Sequence, residues 1–296
     1  MIELNRTVRF ALARTGRPTH DPVAGRAAAN GYSAFPAVRG LGRYYELKVA
    51  CRGEADPVTG YFINIKEIDA AVREHVLPYL QGLIEGDTPE AELPLGEVMR
   101  QAAARLQPPL WDTVASIELA LSPKVRLGLE THAMDHVTLR QQYEFSAAHR
   151  LHADALSDHE NQEVFGKCNN PAGHGHNYRL EVAVAKPIDA AGHALAVDAL
   201  DSLVDEHVLD RLDHKNLNGD VPEFADLNPS VEHITQVIWG LLAPAVAAMD
   251  RDRPARLDEI CVWETEKTAC VYRGPAGFEH GPSDATPEHA ATSESA

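Results

Sequence analysis

The sequence predicts an α+β protein in which one structural unit is used twice, and three observations carry that expectation. The chain has 296 residues, enough for two domains of ordinary size. Its first half runs through alternating apolar stretches, then two helical stretches, then alternating stretches again. The same order returns in the second half, and the halves share short words of sequence.

In the first half, YELKVACRG reads as a strand. KEIDAAVREHVLPYL places Ile68, Ala71, Val72 and Val76 on one helical face, and a second helix is expected from Glu97 to Leu106. WDTVASIELAL and KVRLGLETHA then alternate as strands do. The second half offers YEFSAAHRL and YRLEVAVAK as strands, a helix across ALDSLVDEHVLDRL, a long helix from Val231 to Met249, and strand character in LDEICVWETEKTACVYR.

REHVLPYL from Arg73 matches DEHVLDRL from Asp205, and GLGRYYELKVA matches GHGHNYRLEVA with Tyr45 opposite Tyr178. LGLETHA matches CVWETEK with Glu130 opposite Glu264. All three pairs lie nearly the same length of chain apart, which predicts an internal duplication with units at residues 1–137 and 138–274. Arg17 to Gly40 and Gly82 to Gly96 are rich in Gly, Pro and Ala and read as loops. Residues 275–296 mix Pro, Gly, Ser and acidic residues and read as a disordered tail whose histidines are not ligands.

Hydrophobic residues make up 44% and charged residues 24%, the balance of a globular chain. A formal net charge of −17 argues against a nucleic-acid partner, so an anionic small substrate would need a local basic pocket. No apolar run approaches the roughly 18 residues that span a bilayer. The opening MIELNRTVRF lacks the apolar core of a signal peptide, so no membrane partner and a cytoplasmic location are expected. The four cysteines form no CxxC pair; Cys51, Cys261 and Cys270 read as small strand residues, while Cys168 has different surroundings.

Those surroundings are GKCNNPAGHGHNYRLEV, where His174 and His176 alternate just before a strand and so share one face. With His149 of FSAAHRL from a neighbouring strand they would give a metal three nitrogen ligands and leave one position open. An open three-histidine site is the catalytic arrangement of zinc, although an HxH pair taken alone also suits a structural role. In LDHKNLN, Asp213 and His214 are either a surface pair at a helix end or a proton-transfer pair. Glu264 in WETEK stands among apolar strand residues, where a carboxylate is costly unless it meets an array of donors.

FSAAHRLH, FGKCNNPAGHGHNY, LDHKNLN followed by VPEFAD, NPSVEHITQVIW and WETEK follow one another in the order and spacing of a known family. From Tyr143 to Arg273 the chain resembles the 6-pyruvoyl-tetrahydropterin synthase family. The resemblance implies two tandem T-fold domains, each a four-stranded antiparallel sheet with two helices packed on one face. It implies that His149, His174 and His176 bind Zn2+, that Cys168 is the catalytic base, and that Asp213 and His214 relay protons. Glu264 would anchor the pterin ring, with Ser230 where the family usually has a threonine near the pterin.

The substrate implied is 7,8-dihydroneopterin triphosphate, from which a zinc-dependent lyase eliminates triphosphate to give a 6-pyruvoyl-tetrahydropterin without a redox cofactor. The sister activity, 6-carboxytetrahydropterin synthase of the queuosine (7-deazaguanine) pathway, releases acetaldehyde as well. The cysteine-to-histidine spacing resembles the pyruvoyl-forming type, whereas the Ala- and Arg-rich composition suggests a bacterial chain, and the product stays open. A non-catalytic pterin- or zinc-binding scaffold is the reading from another class. Retention of Cys168, Asp213 and His214 together argues against it.

Aligning the halves puts Arg14 opposite His149, Phe35 opposite Cys168, Leu41 opposite His174 and Arg43 opposite His176. Gln81 and Gly82 fall opposite Asp213 and His214, while Glu130 keeps the place of Glu264. The first half is therefore expected to be a degenerate, non-catalytic copy. In the family such domains join through sheet edges into barrels, with active sites between subunits and relay residues that can come from a neighbour. A homo-oligomeric ring of alternating halves with one active site per chain is expected.

Overall fold

The computed structural model describes residues 1–14 and 43–275. The sequence expectations for Phe35, Leu41, the loop from Arg17 to Gly40 and nearly all of the tail lie outside the described residues.

The chain opens with strands β1 (Ile2–Leu12) and β2 (Arg43–Gly53), paired antiparallel along their whole length. Asn64 then starts a helix by accepting a hydrogen bond from the Lys66 N–H. That helix is α1 (Ile65–Ala71), which widens into a π-helical turn at Val72–Val76 and continues as α2 (Leu77–Glu85). Ile68, Ala71, Val72, Val76 and Leu80 are buried, as the apolar periodicity requires. Helix α3 (Leu95–Leu106) and strands β3 (Val114–Ser122) and β4 (Val125–Glu130) complete the first half.

The second half brings β5 (His136–His149), α4 (Asp158–Phe165), β6 (His174–Pro187) and α5 (Val197–Val204). A second π-helical turn at Asp205–Leu209 leads into α6 (Asp210–Leu212), β7 (Lys215–Asn216) and α7 (Leu217–Asp220). Helix α8 (Val231–Ala248) and strands β8 (Arg256–Thr265) and β9 (Thr268–Tyr272) close the described chain.

The described strands form one sheet in the order β1-β2-β3-β4-β5-β6-β8-β9, with the short β7 parallel to β5. The expected pair of four-stranded sheets is thus a single continuous one. Its junction is the antiparallel pairing of β4 with β5, where Leu127 stands opposite Leu139. Side chains alternate across the sheet: Leu47, Leu119, Leu127, Leu139, Leu180 and Val262 enter the core beneath the helices. The other face is charged, and Arg126 of β4 reaches Glu181 of β6 at 2.5 Å while Arg140 meets Glu259 at 2.8 Å. The Arg126 pair spans the junction.

Strand registers recur between the halves. Phe10 stands opposite Tyr45 and Phe145 opposite Tyr178, and both pairs stack, with ring centroids 5.8 Å and 4.9 Å apart. Leu47 stands opposite Leu119 and Leu180 opposite Val262, and the next ladder of each half breaks register, β3 with β4 at Ala120/Ser122 and β8 with β9 at Trp263/Thr265. Leu121 therefore holds in β3 the place that Glu264 holds in β8. This corrects the alignment of Glu130 with Glu264, because LGLETHA lies on β4 while CVWET lies on β8. Glu130 stands opposite Ser116 and, by alternation with buried Leu129, on the charged face.

A close approach ties α3 to the turn after β6. The Glu97 N–H donates to the Gly192 carbonyl at 2.8 Å, and a Cβ on Gly96 would lie 2.8 Å from that same oxygen. Gly192 has φ +87°, and a Cβ there would meet Glu97 Cβ at 2.6 Å. Helix α8 corrects a second expectation: its 18 residues have a mean hydropathy of 1.3, enough by length and composition to cross a membrane. Here Ile234, Ile238, Leu242 and Val246 are buried along one side, and the helix packs on β8 and β9.

Candidate functional site

The sheet brings the three predicted histidines together. His149 ends β5 directly opposite His174 at the start of β6, and His176 faces Ala147, so all three rings emerge on the helix-covered face. One ring nitrogen from each lies within 4.8 Å of the others. His149 is 1% exposed, and its Nδ1 lies 2.6 Å from the Pro229 carbonyl, which can only accept, so the proton sits on Nδ1. Its bare Nε2 then faces His174 Nε2 at 3.1 Å.

Burial holds the pKa of His149 and of His176 below the usual imidazole value, which keeps the rings neutral as metal ligation requires. His174 Nδ1 and His176 Nε2 are buried without a hydrogen-bond partner, a costly arrangement for a site meant to stay empty. Glu264 leans on the same point, its Oε1 at 3.6 Å from His149 Nε2 and 3.7 Å from His176 Nε2. The bulge in β8 turns it there. Tyr178 packs edge-on against His176, and burial together with Glu264 and Cys168 pushes its phenol pKa up.

Cys168 sits half-buried in a 3-10 turn, Gly166–Asn169, between α4 and β6. Its carbonyl accepts from the Leu151 N–H at 2.9 Å, which holds the turn against the chain just beyond His149. Asp213 and His214 occupy the side of β5 away from β6. Asp213 Oδ1 accepts from the Ser146 N–H at 2.7 Å and Oδ2 lies 2.8 Å from His214 Nδ1. The Ser146 bond, aided by His214, lowers the Asp213 pKa. His214 has φ +57° and a side chain 81% exposed. Neither residue bonds to the three histidines or to Cys168. Ser230 caps α8, its hydroxyl accepting from the His233 N–H.

The corresponding positions of the first half carry other work. Arg43 faces Leu12 as His176 faces Ala147, and its guanidinium pairs with Glu90 at 2.5 Å. Arg14 donates to the Gly86 carbonyl at 2.9 Å and Gln81 to the Ala13 carbonyl at 2.9 Å. Among the described residues, no second group of three potential metal ligands converges as the histidines do. The sequence reading missed the Pro229 carbonyl and the buried Asn161 and Asn169; the string NPS before a helix was the one available signal for the first.

The sequence profile of 6-pyruvoyl tetrahydropterin synthase matches residues 138–275. A 6-pyruvoyl tetrahydrobiopterin synthase from Poecilia reticulata is 48% identical over 132 residues, 44% of this chain and 85% of that relative. The chain belongs to the 6-pyruvoyl tetrahydropterin synthase family. The human 6-pyruvoyl tetrahydrobiopterin synthase is 42% identical over 131 residues, again 44% of this chain and 86% of the relative. The solved 6-pyruvoyl tetrahydropterin synthase of Caenorhabditis elegans is 35% identical, covers 47% of this chain and 96% of its own, and superposes with a TM-score of 0.43. Each match spans less than half of the chain.

Proposed function

We propose that the chain is a zinc-dependent lyase that eliminates triphosphate from 7,8-dihydroneopterin triphosphate, with the 6-pyruvoyl-tetrahydropterin as product. The observation that carries this reading is the convergence of three imidazoles on one point in a member of this family. The donor set fits zinc: nitrogen ligands, buried unpartnered ring atoms, and a His149 fixed from behind by Pro229. Zinc bound there would polarise the substrate's side-chain hydroxyls and acidify the neighbouring C–H.

The chain's own residues then divide the work. Cys168, as thiolate, takes the carbon-bound proton, and the electron pair it frees expels triphosphate as the C–O bond breaks. Asp213 holds the Nδ1 side of His214, which leaves Nε2 to exchange protons during tautomerisation. Glu264 accepts from the amino and ring N–H groups of the pterin, and Ser230 stands near it. Relatives that share 42–48% identity favour the pyruvoyl over the carboxy product. Incubating zinc-loaded protein with the substrate, with mass spectrometry of the pterin and an acetaldehyde assay, decides between them; absence of both products would sink the lyase.

We further read residues 1–137 and 138–274 as two T-fold units of one origin, the first a scaffold. The repeated aromatic pairs, register breaks and π-helical turns support this reading. The exposed His214, unattached to its own chain's Cys168, favours a cytoplasmic ring in which neighbours complete each other's sites through the β1 and β9 edges. Light scattering that shows a fully active monomer rules the ring out.

A further inference from the structure

Beyond His149 the chain leaves the sheet, and side-chain amides from other segments clasp its next four residues, Arg150 to Ala153. Asn218 takes both polar groups of the Arg150 backbone, at 2.7 Å and 3.0 Å, and Asn228 accepts from the His152 N–H at 3.1 Å. Asn161 takes the Ala153 N–H at 2.8 Å and its carbonyl at 2.9 Å. Asn169 differs from these three because it adjoins Cys168. Its Nδ2 donates to the Leu151 carbonyl at 2.8 Å and lies 3.0 Å from His152 Nδ1, while its own carbonyl accepts from Arg150 Nε at 3.1 Å. Its side chain is buried, and the Leu151 N–H holds the Cys168 carbonyl at 2.9 Å.

These bonds tie Cys168 and Asn169 to the three residues that follow His149. An amide suits this place because it donates to a carbonyl and an imidazole while its oxygen can meet the Arg150 guanidinium. A carboxylate of the same shape has no N–H to give.

We infer that Asn169 is a positioning residue: it sets the distance between the Cys168 thiol and the histidine cluster by locking the cysteine's turn to Arg150, Leu151 and His152. The inference rests on the lyase reading. A small displacement of a reacting group can cost about a hundredfold in rate.

The test compares Asn169→Asp with Asn161→Asp in the full-length, zinc-loaded protein, with iodoacetamide as the probe of Cys168. Asn169→Asp is expected to lower kcat about 10- to 100-fold with KM nearly unchanged and zinc retained. Peptide mass spectrometry should find its Cys168 alkylated several-fold faster than in the wild type. Asn161→Asp should lower the melting temperature and leave both kcat per folded chain and the alkylation rate alone. Wild-type kcat and alkylation in Asn169→Asp, or the same two changes in Asn161→Asp, overturn the inference. Should Asn169→Asp fail to fold, Arg150→Lys removes the Nε–H that donates to the Asn169 backbone carbonyl and must shift both readouts the same way. If the wild type eliminates no triphosphate, the lyase reading falls, and the alkylation comparison alone judges Asn169.

Discussion

Leu121 stands at the register break of β3 where Glu264 stands at the register break of β8. The first half thus lacks the carboxylate that would meet a pterin, besides lacking the histidines. One pterin analogue should bind per chain in calorimetry, and Glu264→Gln should raise KM at least tenfold, since a charged acceptor to two donors is lost. A stoichiometry of two refutes this.

Zinc ligation and proton abstraction separate by substitution. His174→Ala should lose zinc by elemental analysis and turnover with it. Cys168→Ala should retain one zinc per chain and lose at least about a thousandfold in kcat, the range expected when a positioned base is removed. Zinc lost with the cysteine would mean that Cys168 is a ligand.

Acid should unfold the metal-free protein early. His149 and His176 have folded-state pKa values below the usual 6.5, chiefly through burial. The unfolded chain therefore binds protons before the folded one does, and stability falls as pH drops below about 6.5 through the lowered values. Asp213, whose pKa is depressed below 3.8, loses its contribution only at lower pH. Urea midpoints between pH 5 and 8 should decline on the acid side, and His149→Gln should flatten the decline. A pH-independent midpoint in the wild type contradicts this.

Glu130 offers the opposite sign. Burial raises its pKa, and Oε2 has no hydrogen-bond partner. Its charged form at neutral pH therefore works against folding, an effect discounted because 36% of the side chain reaches solvent. Glu130→Gln should raise the melting temperature by about 1–3 °C at pH 7 and by less at pH 4.5. A fall at pH 7 contradicts this.

Gly96→Val tests the seam between α3 and the turn after β6. The added carbons must displace the Gly192 carbonyl, at a cost of about 1–3 kcal/mol in denaturant unfolding. Zinc content should hold, because the histidines lie at the other end of β6. Unchanged stability would show that the two segments are not pressed together.

The three converging histidines were legible because period-two alternation and a strand partner for His149 follow from local sequence alone. The core face of β5 was legible from the same alternation, and that of α1 from its helical spacing of Ile68, Ala71 and Val72. Glu264 was legible as a costly carboxylate, but its counterpart in the first half was not. Word matching set LGLET beside CVWET, and only the ladder Leu47–Leu119 against Leu180–Val262 shows that they lie on different strands. Pairing between distant segments also decides the continuous sheet and the asparagine contacts around Arg150, and no periodicity reports it.

The π-helical turns at Val72–Val76 and Asp205–Leu209 both enclose the residues Glu, His and Val. A π-helical turn accommodates one residue more than an α-helical turn, a local excess that two lineages seldom acquire independently at the same spot. If the halves share an ancestor, that excess was already in the single-unit protein before its gene doubled. The turn therefore dates earlier than the loss of the first half's histidines, and a present-day single-unit relative should carry it too.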